Sequence, residues 1–272
     1  MNIEIANNLL EVFDFLDKGY KPLAGATNIL VNVKKDIEKS ENFVDILGVK
    51  ELHSLEFTEK GLYIGSTITF NELEEALKGK EEYNSLYQSA FSMGGPQIRN
   101  MATVGGNICD ASPACDFGPP LLSLNAKVYA ISNNGEREIN IENFFLGNKK
   151  TALKENEIIK KIFVPKCNDK NGYIKVGLRN AMAISIVSLA YSKLNDKVSL
   201  AMGSVYSTPK KLINVENYIN SNKKLSISQI IIELKKDISP ITDLRASKEY
   251  RFEVSKNLLI DTLEKEFNYE FV

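Results

Sequence analysis

Few residues in this chain are equipped for catalysis on their own, and the gaps are informative. The 272 residues include a single histidine, His53, and three cysteines, Cys109, Cys115 and Cys167. A pair of histidines for a zinc site is therefore not available. No C-x-x-C occurs, and three thiols cannot supply the four thiolates of an ordinary iron–sulfur cluster. An odd, sparse set of cysteines also argues against a disulfide framework. Redox chemistry on this chain would have to be carried by an organic cofactor.

Two segments are built to approach such a cofactor. In the first, Leu23-Ala24-Gly25-Ala26-Thr27-Asn28-Ile29-Leu30, a short strand enters a helix through a turn of very small residues. Small side chains let backbone N–H groups come close to a ligand, and a helix start favours negative charge. In the second, Thr103-Val104-Gly105-Gly106-Asn107 is followed closely by Ser112 and Asp116. Paired glycines, an amide, a hydroxyl and a carboxylate in one stretch could cradle a pyrophosphate and ribose-like hydroxyls. Either loop alone reads equally well as an ordinary turn; two together are harder to dismiss. No G-x-G occurs, which removes the Rossmann fingerprint and the kinase glycine loop, and no P-loop motif is present. Asp116-Phe117-Gly118 spells the kinase magnesium tripeptide, but His53 is followed by Ser54, so no H-R-D loop accompanies it.

Elements that would position these loops follow from periodicity. Leu9, Val12, Phe13 and Leu16 have helical spacing within 8–18, with Gly19 as a stop. A strand over 21–24, a brief helix capped by Thr27 or Asn28 and running through Val33, and a strand over 43–46 make a small parallel unit. A strand over 61–69, a helix opened by the capping box Thr69-x-x-Glu72, and a helix over 81–93 stopped at Gly94 come next. A hairpin over 127–141 turns at Asn133-Asn134-Gly135, and 157–164 reads as a strand. The polar segment 166–172 marks the expected boundary of the main domain. Beyond it lie three strands, 173–179, 185–194 and 198–205, and amphipathic helices near 226–236 and 246–267. The expected class is α+β in two domains.

Bulk composition excludes several functions. With 43% hydrophobic and 25% charged residues the chain can bury a substantial core. A formal net charge of −1 does not suit a chain devoted to nucleic acid or an anionic membrane surface. No apolar run approaches the roughly 20 residues of a membrane-spanning helix. The opening residues lack a secretory signal, so a cytoplasmic location is expected.

The loops and their order resemble the medium, FAD-binding subunits of molybdenum hydroxylases, the xanthine dehydrogenase group. Leu23–Leu30 is similar to the L-A-G-G-T-D-L-L loop of that family. Thr103–Asn107 and Ala111-Ser112-Pro113-Ala114-Cys115-Asp116 resemble its T-I-G-G-N and A-S-P-x-x-D signatures. The likeness continues through Phe144–Gly147, Lys150-Thr151, Glu157–Ile159, Val164-Pro165, Lys175-x-x-x-Arg179-x-Ala181 and Ala201–Val205, covering nearly the whole chain.

The resemblance implies a two-lobed FAD-binding domain of the vanillyl-alcohol-oxidase (PCMH) type over 1–166, with lobes of about 1–55 and 56–166. A smaller α+β C-terminal domain with a three-stranded antiparallel sheet would occupy 173–272. It further implies that Leu23, Ala24, Gly25, Ala26, Thr27, Asn28, Ile29 and Leu30, with Thr103, Val104, Gly105, Gly106 and Asn107, wrap the diphosphate and adjoining parts of FAD. Ser112 and Asp116 would bond polar cofactor atoms. Ile159 and Lys175 match later FAD contacts, with Lys175 near the isoalloxazine. The plainer alternatives are a turn role for Ser112 and for Asp116, a core position for Ile159 and a solvated edge position for Lys175. The partners implied are a 2Fe–2S small subunit and a molybdenum-cofactor large subunit, with electrons leaving to NAD+. A carbon-monoxide-dehydrogenase-like flavoprotein with a quinone acceptor, and a non-catalytic assembly protein of the same fold, remain alternatives. Two positions depart from the family loop. Ala26 replaces its second glycine, so either that peptide needs no positive φ or the loop is altered; Asn28 replaces its Asp, removing a charge.

Overall fold

The computed structural model describes all 272 residues. Three successive units of chain are built around three hydrophobic clusters. The first unit contains β1 (Asn2–Ile5), α1 (Leu9–Asp17), β2 (Lys21–Leu23), α2 (Ile29–Lys34) and β3 (Asn42–Asp45). Its sheet has the order β1-β3-β2 and both pairings are parallel. Parallel neighbours need crossovers, and α1 and α2 supply them. Asn8 caps α1 by accepting from the Glu11 N–H, while Glu11 accepts in return from the Asn7 N–H. Val12, Phe13 and Leu16 form the buried stripe, and Gly19 at φ +83° ends the helix. The unit's own core is small, nine buried residues, and one of them, Ile158, comes from a strand of the next lobe. The first lobe therefore depends on its neighbour for closure.

The second lobe runs through β4 (Leu55–Phe57), β5 (Gly61–Gly65), α3 (Phe70–Leu77), α4 (Asn84–Ser92), α5 (Pro96–Arg99), α6 (Val104–Cys109) and α7 (Gly118–Ser123). It continues with β6 (Lys127–Ser132), β7 (Gly135–Asn140), β8 (Phe145–Gly147), β9 (Lys150–Thr151) and β10 (Ile158–Pro165). Five strands form an antiparallel sheet in the order β4-β5-β10-β6-β7. Thr69 and Glu72 make the reciprocal capping box of α3, as the sequence spacing predicts. The β6–β7 hairpin turns at Gly135 with φ +108°. The expected helix over 81–93 is a 3-10 turn at Glu81–Tyr83 leading into α4.

The remainder holds β11 (Asn171–Gly177), β12 (Ser185–Leu194), β13 (Lys197–Gly203), β14 (Lys210–Lys211), α8 (Ile213–Ser221), α9 (Ile227–Asp237) and α10 (Lys248–Phe267). The sheet order is β11-β12-β13-β14, all antiparallel. The expected three-stranded sheet thus gains a two-residue fourth strand, too short to show any alternation. The first eight residues of β12 are buried without a break, because α10 and α7 pack against this strand. Also absent from the sequence reading are β1, β4, α5, α6, α7, β8, β9 and α8.

Where β11 meets the second lobe, the contacts are specific. The Asn171 side chain accepts from the Ser85 N–H at 2.7 Å and donates to the Glu81 carbonyl at 2.9 Å, which caps α4 from across the boundary. Gln88 of α4 accepts from the Tyr173 N–H at 2.6 Å. The free edge of β11 is thereby covered by a helix. No helix is long and apolar enough to cross a membrane.

Candidate cofactor-binding cleft

A cleft of about 630 Å³ opens between the first lobe and the α5–α6 wall of the second, within the range of small-molecule and cofactor sites. One side is the loop joining β2 to α2, with Ala24, Gly25, Ala26, Thr27, Asn28 and Ile29 lining the cleft. The other side presents Ile98, Ala102, Thr103, Gly106 and Asn107. Two loops separated by some eighty residues of sequence therefore face one another.

Backbone donors on the two walls are in opposite states. The N–H groups of residues 24–28, five in a row, donate to no acceptor within the chain. On the opposite wall the Val104 N–H donates to the Ile68 carbonyl and the Gly105 N–H to the Ser66 carbonyl, both at 2.9 Å. Gly106 donates to Thr103 Oγ1 at 3.2 Å. The paired glycines were expected to offer backbone donors, but the segment from Ser66 to Ile68 consumes two of them and the Thr103 cap takes a third. The 24–28 amides are left as the donors available to an anion.

Each loop needs glycine for a separate reason. A Cβ on Gly25 would lie 1.7 Å from the Met101 carbonyl oxygen, so the first-lobe loop rests directly on backbone of the second lobe. On Gly106 a Cβ would meet only Thr103 Oγ1, at 2.9 Å, and the rest of that position is open towards the cleft. Ala26 has φ +57°. The loop has therefore kept the left-handed conformation that glycine suits best, and the reading in which position 26 needs no positive φ is corrected.

Side chains complete the cleft. Cys115 is buried, and burial pushes its thiol up to about 12, so it stays protonated. It donates to Asn107 Oδ1 at 2.9 Å, leaving the Asn107 Nδ2 group without a protein acceptor at the cleft wall. Glu38 is neutralised by Lys21 at 2.8 Å. Asp110 accepts from Asn28 Nδ2 and from Lys149 Nζ. Cys109, exposed, lies on the same wall, whereas Cys115 and Cys167 are buried.

The other sequence-selected residues lie outside this cleft. Leu23, Val104 and Ile159 are buried in the cores, Gly105 packs on Ser66, and Leu30 is on the outer face of α2. Ser112 accepts from the Ala114 N–H at 3.3 Å in a local turn. Asp116 and Lys175 form a separate buried network. Lys175 Nζ lies 2.8 Å from Asp116 Oδ2, with the two side chains only 9% and 11% exposed. Tyr173 donates its hydroxyl to Asp116 Oδ1 at 2.9 Å, and Lys175 also donates to the Ser92 carbonyl at 3.2 Å. Lys175 is thus no solvated edge residue. Burial pushes the Asp116 carboxyl up, opposed by the Lys175 charge and by hydrogen bonds from Lys175 and Tyr173. Burial, reinforced by the Asp116 charge, holds the Tyr173 hydroxyl well above its ordinary range, so it remains a donor.

Several cleft residues were not singled out from sequence: Asn32, Ile37, Glu38, Met93, Asp110 and Lys149. Asp110 sits within the second glycine segment and could have been found there. Lys149 is brought in by the β8–β9 hairpin, and no local pattern announces it.

Comparisons with known proteins agree with this architecture. Residues 1–167 match the family described as the FAD binding domain in molybdopterin dehydrogenase. Residues 172–265 match the CO dehydrogenase flavoprotein C-terminal domain. The xanthine dehydrogenase FAD-binding subunit of Escherichia coli O157:H7 is 33% identical over 266 residues, covering 93% of this chain and 88% of that one. The glyceraldehyde dehydrogenase medium chain of Sulfolobus acidocaldarius is 28% identical over 263 residues, covering 93% of each. Among solved structures, carbon monoxide dehydrogenase from Hydrogenophaga pseudoflava superposes with a TM-score of 0.90 at 20% identity, covering 98% of this chain and 97% of the other. Quinoline 2-oxidoreductase from Pseudomonas putida 86 gives 0.87 at 17% identity, covering 98% and 96%; these two likenesses bear on the fold. With a family match over more than half its length and a relative 33% identical along nearly all of it, the chain belongs to the FAD-binding medium subunits of molybdenum hydroxylases.

Proposed function

We propose that this chain binds FAD in the cleft between its lobes and relays electrons from the 2Fe–2S clusters of a small subunit to NAD+. A molybdenum-cofactor large subunit would oxidise the substrate. The observation that carries the reading is the run of unpartnered N–H groups over residues 24–28, facing Thr103, Gly106 and Asn107 across the cleft. Such a run is a ready anion cradle, suited to a diphosphate. The chain contributes no acid–base residue; it binds, orients and tunes. Bound FAD would supply the redox chemistry that the side chains lack.

Each group then has a part. The 24–28 amides hold the diphosphate, and Asn107 Nδ2, aimed by Cys115, adds a donor from the far wall. Leu23, Leu30, Val104, Gly105, Ser112 and Ile159 remain family-matched positions whose contribution is to shape the loops and the core behind them. Asp116 and Lys175, fixed by Tyr173, set a buried charge pair beside the junction with β11. The residues fall into a cofactor domain over 1–166 and a C-terminal domain over 173–272, and we place the complex in the cytoplasm.

The test is the visible spectrum of the purified chain with added FAD, before and after anaerobic NADH. A bound-flavin spectrum that NADH bleaches is the expected outcome. Flavin retained but not bleached would remove NAD+ as the acceptor and leave a quinone or another carrier. No retained flavin would overturn the cofactor assignment.

A further inference from the structure

One polar contact spans the mouth of the cleft and joins three separate pieces of chain. Asp110 follows α6 on the second-lobe wall. Its Oδ1 accepts from Asn28 Nδ2 on the first-lobe loop, and its Oδ2 from Lys149 Nζ at 2.5 Å. Lys149 sits at the tip of the β8–β9 hairpin, and its N–H donates to the Ala111 carbonyl at 3.0 Å, so the hairpin is anchored next to the carboxylate it serves. All three side chains line the cleft.

We propose that Asp110 is a positioning residue that latches the 24–28 amide loop to the opposite wall, with Asn28 and Lys149 as its partners. This rests on the FAD reading of the same cleft and adds what holds the cradle at its working width. Asn28 and Ile29 mark the end of the loop whose amides are free, and Gly25 fixes its other end against Met101. Between those two points the loop has no backbone hydrogen bond to the second lobe, so the side-chain bond at Asn28 is what restrains it there. The charges also balance: Asp110 and Lys149 cancel, and Asn28 adds none. A carboxylate at position 28, as in the family loop, would face Asp110 at hydrogen-bond range and leave the mouth one charge more negative beside a bound diphosphate. The asparagine at 28 and the aspartate at 110 therefore belong together.

A charge exchange on the full chain tests this. FAD release is followed by the recovery of free-flavin fluorescence after dilution, at low and at high salt. N28D sets two carboxylates against each other, and release should quicken at least about tenfold at low salt and less at high salt. N28D/D110N returns one carboxylate and one amide with the roles exchanged, and should release FAD within about threefold of the parent rate. Equal release from N28D and the parent, or a double variant as fast as N28D, would overturn the latch.

Urea unfolding of the same chains without FAD provides the second readout. N28D should lower the folded-to-unfolded ratio at least about fivefold, with recovery in N28D/D110N. No such recovery in the cofactor-free chain would also overturn the proposal. Because this readout needs no flavin, failure of the chain to take up FAD would count against the cofactor assignment alone, and the latch would still be decided.

Discussion

The two small-residue loops look alike in sequence and behave in opposite ways in the structure. The first leads into the six-residue helix α2, whereas the second, capped by Thr103, is itself the start of the six-residue helix α6. In the loop over 24–28 every N–H is free of the chain, whereas the N–H groups of residues 104–107 are bound to Ile68, Ser66 and Thr103. The lesson is that a glycine-rich turn specifies a backbone shape, and the neighbours decide whether its donors are available. The second loop makes its contribution through side chains instead, with Asn107 at the cleft and Asp116 in a buried network behind it. Its glycines answer different needs too: Gly105 lets α6 lie on Ser66, and Gly106 leaves open space.

Three substitutions sharpen or break this contrast, and the largest effect is expected in the second loop. Asp116→Ala leaves the Lys175 ammonium buried without its counter-charge and removes the acceptor of Tyr173. Loss of about 3–5 kcal/mol of stability is expected, read as a lower urea midpoint. A change below about 1 kcal/mol would mean that the network is more solvated than its burial indicates.

Gly106→Val should act differently, abolishing flavin retention while changing stability by no more than about 1 kcal/mol, since the added side chain enters the cleft and not the core. Flavin absorbance after gel filtration, compared with the urea midpoint of the same variant, separates binding from folding. Full flavin occupancy in that variant would remove the second wall from the site.

The smallest effect belongs to the first loop. Ala26→Gly relieves the cost of φ +57° for an L-residue, partly offset by the larger chain entropy of glycine in the unfolded state. A gain of up to about 1 kcal/mol is expected, with flavin affinity preserved or improved. Destabilisation on this change would indicate that the alanine methyl makes a packing contact worth more than the strain.

Much of the fold was legible because it rests on local signals. The Thr69–Glu72 box, the stop at Gly19 and the hairpin turning at Gly135 all depend on residues within a few positions of one another, and all appear as expected. The elements missed are of two kinds. Strands β1, β4, β8, β9 and β14 are two to four residues long, helices α5, α6 and α7 only four to six, and the longer α8 has just two buried residues, Val215 and Ile219, so none shows a clear alternation of buried and exposed positions. Lys175 was ambiguous for another reason: it lies on an edge strand, where solvent is the usual neighbour, and only the packing of α4 over β11 encloses it.

What the sequence determined by itself was the class of chemistry and the shape of the loops. One histidine and three scattered cysteines cannot supply a two-histidine zinc site or the four thiolates of an ordinary iron–sulfur cluster. The order of the small-residue loops along the chain carries the family. The tertiary structure alone decided which donors stay free, that Asp116 and Lys175 pair with each other behind the cleft, and that Asn28, Asp110 and Lys149 meet across its mouth. The physical reason is that hydrogen-bond satisfaction and charge pairing are settled between partners tens of residues apart, and they follow from the fold as a whole.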